Sequence, residues 1–131
     1  MPSPALKGIA KAQRWLGGCF NAGEGTKKNI DKAFYWNEKA ALQGHANAQC
    51  NFGVIYYRGE GTVQDYKKAF YWFEQAALQG DASAQNNLGT MYEDGYGVNK
   101  DLKKAFYWYE KAALQGHKTA QENLKVLKNN K

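Results

Sequence analysis

The chain repeats itself every 36 residues, and that period constrains its fold more than any other feature. Trp36, Trp72 and Trp108 keep the step, as do Ala33, Ala69 and Ala105, Gly17, Gly53 and Gly89, and Gly44, Gly80 and Gly116. Gln13, Gln49, Gln85 and Gln121 carry it through four copies. Residues 46–81 and 82–117 are identical at 21 of 36 positions. A unit this short cannot cover both faces of its own helices, so copies must stack and share a core.

Each unit reads as two helices. In "ANAQCNFGVIYYR" the apolar Ala48, Phe52, Ile55 and Tyr56 fall at helical spacing, which predicts helix A from Ala46 to about Arg58. Gly59-Glu60-Gly61 ends it, because glycine takes the left-handed conformation of a helix terminus. Asp65, with Asn29 and Asp101 one period away, is an N-cap residue type. Helix B runs from Tyr66 to Gln79 and closes at Gly80. Such a loop joins helix to helix. It does not follow a strand or end in Gly-Lys-Ser/Thr, so phosphate binding is not expected there.

Gly53 and its counterparts sit inside helix A, where glycine costs about 1 kcal/mol relative to alanine. Paying that repeatedly implies close approach of a neighbour, and the Trp36/Trp72/Trp108 series is the expected partner, with indole and glycine interlocking between successive hairpins. Gln49, Gly53 and Tyr56 are expected to face the next unit, and Ala48, Phe52 and Ile55 the unit's own helix B.

The organisation read from this pattern is a remnant of a preceding repeat or N-terminal cap at 1–9, repeats at 10–45, 46–81 and 82–117, and a capping helix at 118–131. "ALKG" at Ala5–Gly8 echoes the "ALQG" helix end one period later, and Lys125 replaces the interior glycine of the last helix. The fold class is all-α, an α/α solenoid of stacked antiparallel helix pairs.

Composition narrows the function. No apolar run approaches the roughly 20 residues of a membrane span, and no export signal is legible. Compartment stays open: cytoplasmic by default, periplasmic or secreted if a leader was removed. The net charge of +6 comes almost wholly from lysine, since Arg14 and Arg58 are the only arginines. Base readout leans on bidentate arginine, so nucleic acid is not the expected partner, while an acidic partner is permitted.

Catalytic constellations are missing from the pattern. His45, Asp81 and His117 share one repeat position, placed to cap helix A. Cys50 and His45 form the one local cysteine–histidine pair, across a helix start. Cys19 takes a core position and Cys50 a groove position, so a disulfide between them is not expected. No metal cluster, cofactor site or paired carboxylates are expected, and no small-molecule substrate.

The units "AQCNFGVIYYRGEGTVQDYKKAFYWFEQAALQG" and "AQNNLGTMYEDGYGVNKDLKKAFYWYEKAALQG" resemble Sel1-like repeats, relatives of the tetratricopeptide repeat. The resemblance covers roughly residues 10–128. Repeat 1 departs from it, with Arg14-Trp15 where the later units have Cys50-Asn51 and Asn86-Asn87. The resemblance implies a solenoid with A helices on the concave face and B helices on the convex one. It also implies adaptor or scaffold roles, and in bacteria virulence-associated or immunity proteins.

In that frame the remaining stripe of helix A should line a groove that holds a protein or peptide. Its residues are Arg14 and Trp15, Asn51, Val54 and Arg58, and Asn86, Asn87, Thr90 and Asp94. Asparagine suits a peptide backbone and Trp and Arg suit hot spots. Two further readings stand beside it: the Asn series holds neighbouring units together by hydrogen bonds, and Trp15 is covered by the N-terminal fragment. A monomer is expected. Tyr35, Tyr71 and Tyr107, beside lysines, form a second surface, read either as a nucleotide-stacking ladder or as amphipathic side chains on the B-helix ridge. A hydrolase of cell-wall or β-lactam type is the other alternative, and the Ser-x-x-Lys motif it would use is not in the sequence.

Overall fold

The interior of the repeats at 46–81 and 82–117 is built around a glycine. The computed structural model describes residues 27–59 and 61–129. Within them run α1 (Lys27–Leu42), α2 (Ala46–Arg58), α3 (Tyr66–Leu78), α4 (Ala82–Asp94), α5 (Leu102–Leu114) and α6 (Lys118–Asn129), with no strand among the described residues. Helices α2, α4 and α6 are A-type, and α1, α3 and α5 are B-type. Each packs on the next in chain order, so every inner helix lies between its predecessor and its successor. Asn29 falls inside α1 and not at its N-cap, because that helix begins earlier than its counterparts.

A Cβ at Gly53 would stand 2.7 Å from two ring carbons of Phe73, and one at Gly89 equally close to the ring of Tyr109. Helix A therefore meets helix B of its own repeat with a ring pressed on its backbone. The expected glycine–tryptophan interlock between hairpins is not what forms. The ring is contributed one residue after the tryptophan, from the same repeat. Trp72 and Trp108 are half-buried, and Trp36 is 63% exposed. Trp72 packs edge-on against Phe52 at 5.4 Å. One residue of helix rotation is about 100°, enough to move a side chain from the helix–helix seam to its margin.

The core follows the period. Phe52, Ile55, Ala69, Phe73, Ala76 and Ala77 are buried in one repeat, and Leu88, Met91, Ala105, Tyr109 and Ala112 in the next. Tyr109 carries a hydroxyl that Phe73 lacks, and the opposing A helix changes with it. Thr90 Oγ1 lies 2.9 Å from that hydroxyl, which donates to Glu93 Oε1 at 2.7 Å. One period earlier the same two positions are Val54 and Tyr57. Burial, and then the Glu93 carboxylate, push the Tyr109 hydroxyl far above the usual phenol range.

Turns are closed by backbone and caps. Gly59 and Gly95 take φ of 72° and 73° and donate to Ile55 O and Met91 O at 2.8 Å. Asp65 and Asp101 cap the B helices through Lys68 N and Lys104 N. Asp81 caps α4 through Ala84 N at 2.9 Å, and His117 Nδ1 does the same for Ala120 N of α6 at 3.1 Å. His45 makes no side-chain cap, so the third member of that series serves only as a boundary residue.

Candidate functional site

Two glutamine series tie the repeats together. Gln49 Nε2 donates to Ala41 O, Gln85 Nε2 to Ala77 O and Gln121 Nε2 to Ala113 O, at 3.1–3.2 Å. Each reaches back to the last turn of the preceding B helix, whose carbonyls have no partner within the helix. Gln79 Nε2 then donates to Gln49 Oε1 at 2.7 Å, and Gln115 Nε2 to Gln85 Oε1 at 2.8 Å. The direction is backwards, not toward the next unit as the spacing suggests. Gln85 is 2% exposed. Replacing it with alanine removes two hydrogen bonds, although the Ala77 carbonyl keeps Gly80 N and the Gln115 amide keeps Gly80 O, and a loss of about 1–3 kcal/mol for the two bonds is expected in urea unfolding. A Gln121→Ala loss should be smaller, because that residue is exposed.

The stripe expected to line a groove is divided by the fold. Val54, Asn86, Asn87 and Thr90 are buried, so these four present no surface. The cause is contact between successive A helices. Asn123 Nδ2 donates to Asn86 Oδ1 at 2.9 Å, and Asn87 Nδ2 points at Cys50 Sγ at 3.8 Å. Both pairs join one A helix to the next across 37 residues. The reading in which the asparagines hold neighbouring units together is the one these contacts fit, and Thr90 serves Tyr109. Asn51 is half-buried and donates to Asn37 Oδ1 at 3.4 Å. Arg58 and Asp94 remain half-exposed at the C-terminal ends of α2 and α4. Arg14 and Trp15 lie outside the described residues.

Cys50 also departs from expectation. It is 1% exposed and disulfide-bonded. The chain's one other cysteine is Cys19, outside the described residues. Cys50 is turned into the seam between A helices and not toward a groove, which removes the ground for expecting no bond.

Beside Arg58 and Asp94 lies a cluster that spacing did not single out. Tyr66 and Tyr96 stack with ring centroids 4.7 Å apart and planes 11° from parallel. Tyr57 tilts against both, at 5.1 Å and 6.1 Å. The three come from the end of α2, the start of α3 and the loop after α4. All three are half-buried. One period earlier the same positions are Asn21, Ile30 and Glu60, so a search for what recurs passes over them. Burial pushes the Tyr57 hydroxyl well above the usual phenol range. Tyr66, Tyr96 and Asp94 add to the rise and Arg58 opposes it. The Tyr57 hydroxyl stays a protonated donor at neutral pH. Among the described residues no group of three His, Cys, Asp or Glu is placed to hold a metal. No described helix is long and apolar enough to cross a membrane.

Alternating antiparallel helices that share one core through a repeated Gly–ring seam define an α/α solenoid. The Sel1 repeat profile matches residues 10–45, 46–81 and 82–117, and the chain belongs to that family. Among solved structures it is similar to a Sel1 repeat protein from Oxalobacter formigenes, at 42% identity and a TM-score of 0.71, over 75% of this chain and 29% of that one. It is also similar to c5321, a protective antigen present in uropathogenic Escherichia coli strains displaying an SLR fold, at 37% identity and a TM-score of 0.67, over 86% of this chain and 23% of that one. Cysteine rich protein B of Helicobacter pylori shares the fold at 22% identity and a TM-score of 0.67, over 93% and 98% of the two chains. The chain thus spans less than a third of the first two structures. No curated protein matches it. Sel1-repeat proteins are in general protein-interaction scaffolds.

Proposed function

We propose that this chain is a non-catalytic scaffold that holds a protein or peptide along the inner, concave edge of its A helices, at their C-terminal ends. The observation that carries the reading is the convergence of Tyr57, Tyr66 and Tyr96 from three elements onto the rim beside Arg58 and Asp94. Tyrosine and arginine are the residue types in which binding energy concentrates. Half-buried rings offer apolar area at little entropic cost because their neighbours already hold them. Asn51 extends the edge toward the middle of α2. The net charge of +6 favours an acidic partner and predicts that association slows as salt rises.

The test has two stages. A photo-crosslinker at position 96 should trap the partner, whereas one at position 35 should not. In titrations with the trapped partner, Tyr96→Ala and Arg58→Ala should each weaken binding by more than about 1 kcal/mol. Affinity unchanged in both variants would remove the partner from this rim. The finer role, a bacterial immunity or virulence-associated protein, draws support from bacterial relatives, one of them described as a protective antigen. A toxin or secretion gene beside this one would favour it, and a neighbourhood without either would count against it.

A further inference from the structure

The outer face of the B helices carries large apolar side chains that the core does not use. Tyr35, Tyr71 and Tyr107 are about half exposed, at 48–51%, and Leu42, Leu78 and Leu114 are 68–83% exposed. Each tyrosine and its leucine are seven residues apart, two turns along one face of a helix. Between them stand Glu38, Glu74 and Glu110 three residues on, and Lys39, Gln75 and Lys111 four residues on. Lys39 Nζ sits 4.7 Å over the Tyr35 ring and Lys111 Nζ 5.3 Å over that of Tyr107. The lysines therefore lie along the apolar rows with their ammonium groups at the same surface. Lys67 and Lys103 flank the same face and are exposed, with Glu74, half-buried, and Glu110, exposed, seven residues on at the same margin.

We propose that this outer face docks on an anionic lipid surface. Three features favour lipid over an acidic polypeptide. The exposed positions lie on the outward side of helices whose other sides are packed, so they form ridges and not a groove that a peptide would fill. Leucine is the most exposed member of each rung and is under-represented among protein-interface hot spots, whereas arginine, enriched there, is absent from the face. Leucine, tyrosine and lysine side by side are the residues that settle helices into a membrane interface, the apolar part below the headgroups and the ammonium among them. The rows repeat on three helices, so contacts that are weak singly act together. The chain's positive charge matches the negative leaflet.

The experiment is sedimentation of the full chain with phosphatidylcholine vesicles, with and without 30% phosphatidylserine, at low and high salt. Binding to the anionic vesicles is expected, at least tenfold weaker on pure phosphatidylcholine and reduced by salt. The triple variant Leu42→Ser/Leu78→Ser/Leu114→Ser should lose at least tenfold in partitioning while keeping its helical circular dichroism, since these side chains stand in solvent. Lys67→Glu with Lys103→Glu should lose binding to the anionic vesicles selectively. Tyr96→Ala should bind vesicles like the parent, which separates this face from the rim proposed above. Failure to bind either vesicle, or a triple variant that partitions unchanged, overturns the proposal. So does self-association that the same triple variant abolishes in the absence of vesicle binding, which would give the face to a second copy of the chain.

Discussion

Gly97→Ala should cost about 2–5 kcal/mol, more than any other single glycine substitution in the described loops. Two costs add. Gly97 has φ of 73°, where a Cβ is penalised by about 1–2 kcal/mol. The Cβ would also overlap the Tyr66 carbonyl group, standing 2.7 Å from its carbon and 3.1 Å from Lys67 N. Those are backbone atoms at the start of α3, so no rotamer change clears the space, and forced overlap of this kind typically costs about 1–3 kcal/mol. The loop of the third repeat is seated on the second through this contact, and the Tyr66–Tyr96 stack depends on the seat. Gly80→Ala is the control. Its φ is 98° and a Cβ there meets nothing within 4 Å, so only the conformational cost applies. Urea unfolding of both variants gives the difference. Equal losses would mean that the loop does not rest on Tyr66. Against a typical total of about 5–15 kcal/mol, the expected loss is large enough to leave part of the chain unfolded at 37 °C.

Phe73→Ala should cost about 3–5 kcal/mol, because the ring is fully buried against the Gly53 backbone and its removal leaves a cavity at the seam. The more informative change is Phe73→Tyr. Repeat 3 accepts tyrosine at this place because Thr90 and Glu93 receive its hydroxyl. Repeat 2 has Val54 and Tyr57 there, so a buried hydroxyl without that pair should cost about 1–3 kcal/mol. Val54→Thr made in the Phe73→Tyr background should recover part of the loss, and the reverse pair, Tyr109→Phe with Thr90→Val, should cost less than its two members summed. A double-mutant cycle by thermal or urea unfolding reads both couplings. Additivity in both cycles would show that each ring is indifferent to the helix A residue opposite it.

How far the fold was legible depends on what kind of information a residue carries. The helix pairs, the glycine turns at Gly59 and Gly95 and the caps at Asp65, Asp81 and Asp101 were legible because each is a local event. Residue type and spacing decide it within a turn or two. The partner of Gly53 was not legible. Phe73 and Trp72 are adjacent and both aromatic, and only the crossing of α2 and α3 selects which ring meets the glycine. The groove stripe failed for the same reason. Asn86, Asn87, Thr90 and Val54 lie on one helical face with Arg58 and Asp94, but the next A helix covers the middle of that face and leaves its end open. The Tyr57–Tyr66–Tyr96 cluster escaped notice because a repeat search rewards what recurs, and these residues do not recur.

By itself the sequence determined the repeating unit, its all-helical character, its family and the need to stack, since a 36-residue period with glycine at fixed places admits no self-sufficient unit. Tertiary structure alone decided which faces of those helices touch and which stay in solvent. Helical spacing gives the angle of a side chain about its own axis, and burial depends on where the neighbouring axis passes. That is set by how closely Gly53 and Gly89 let the rings of Phe73 and Tyr109 approach.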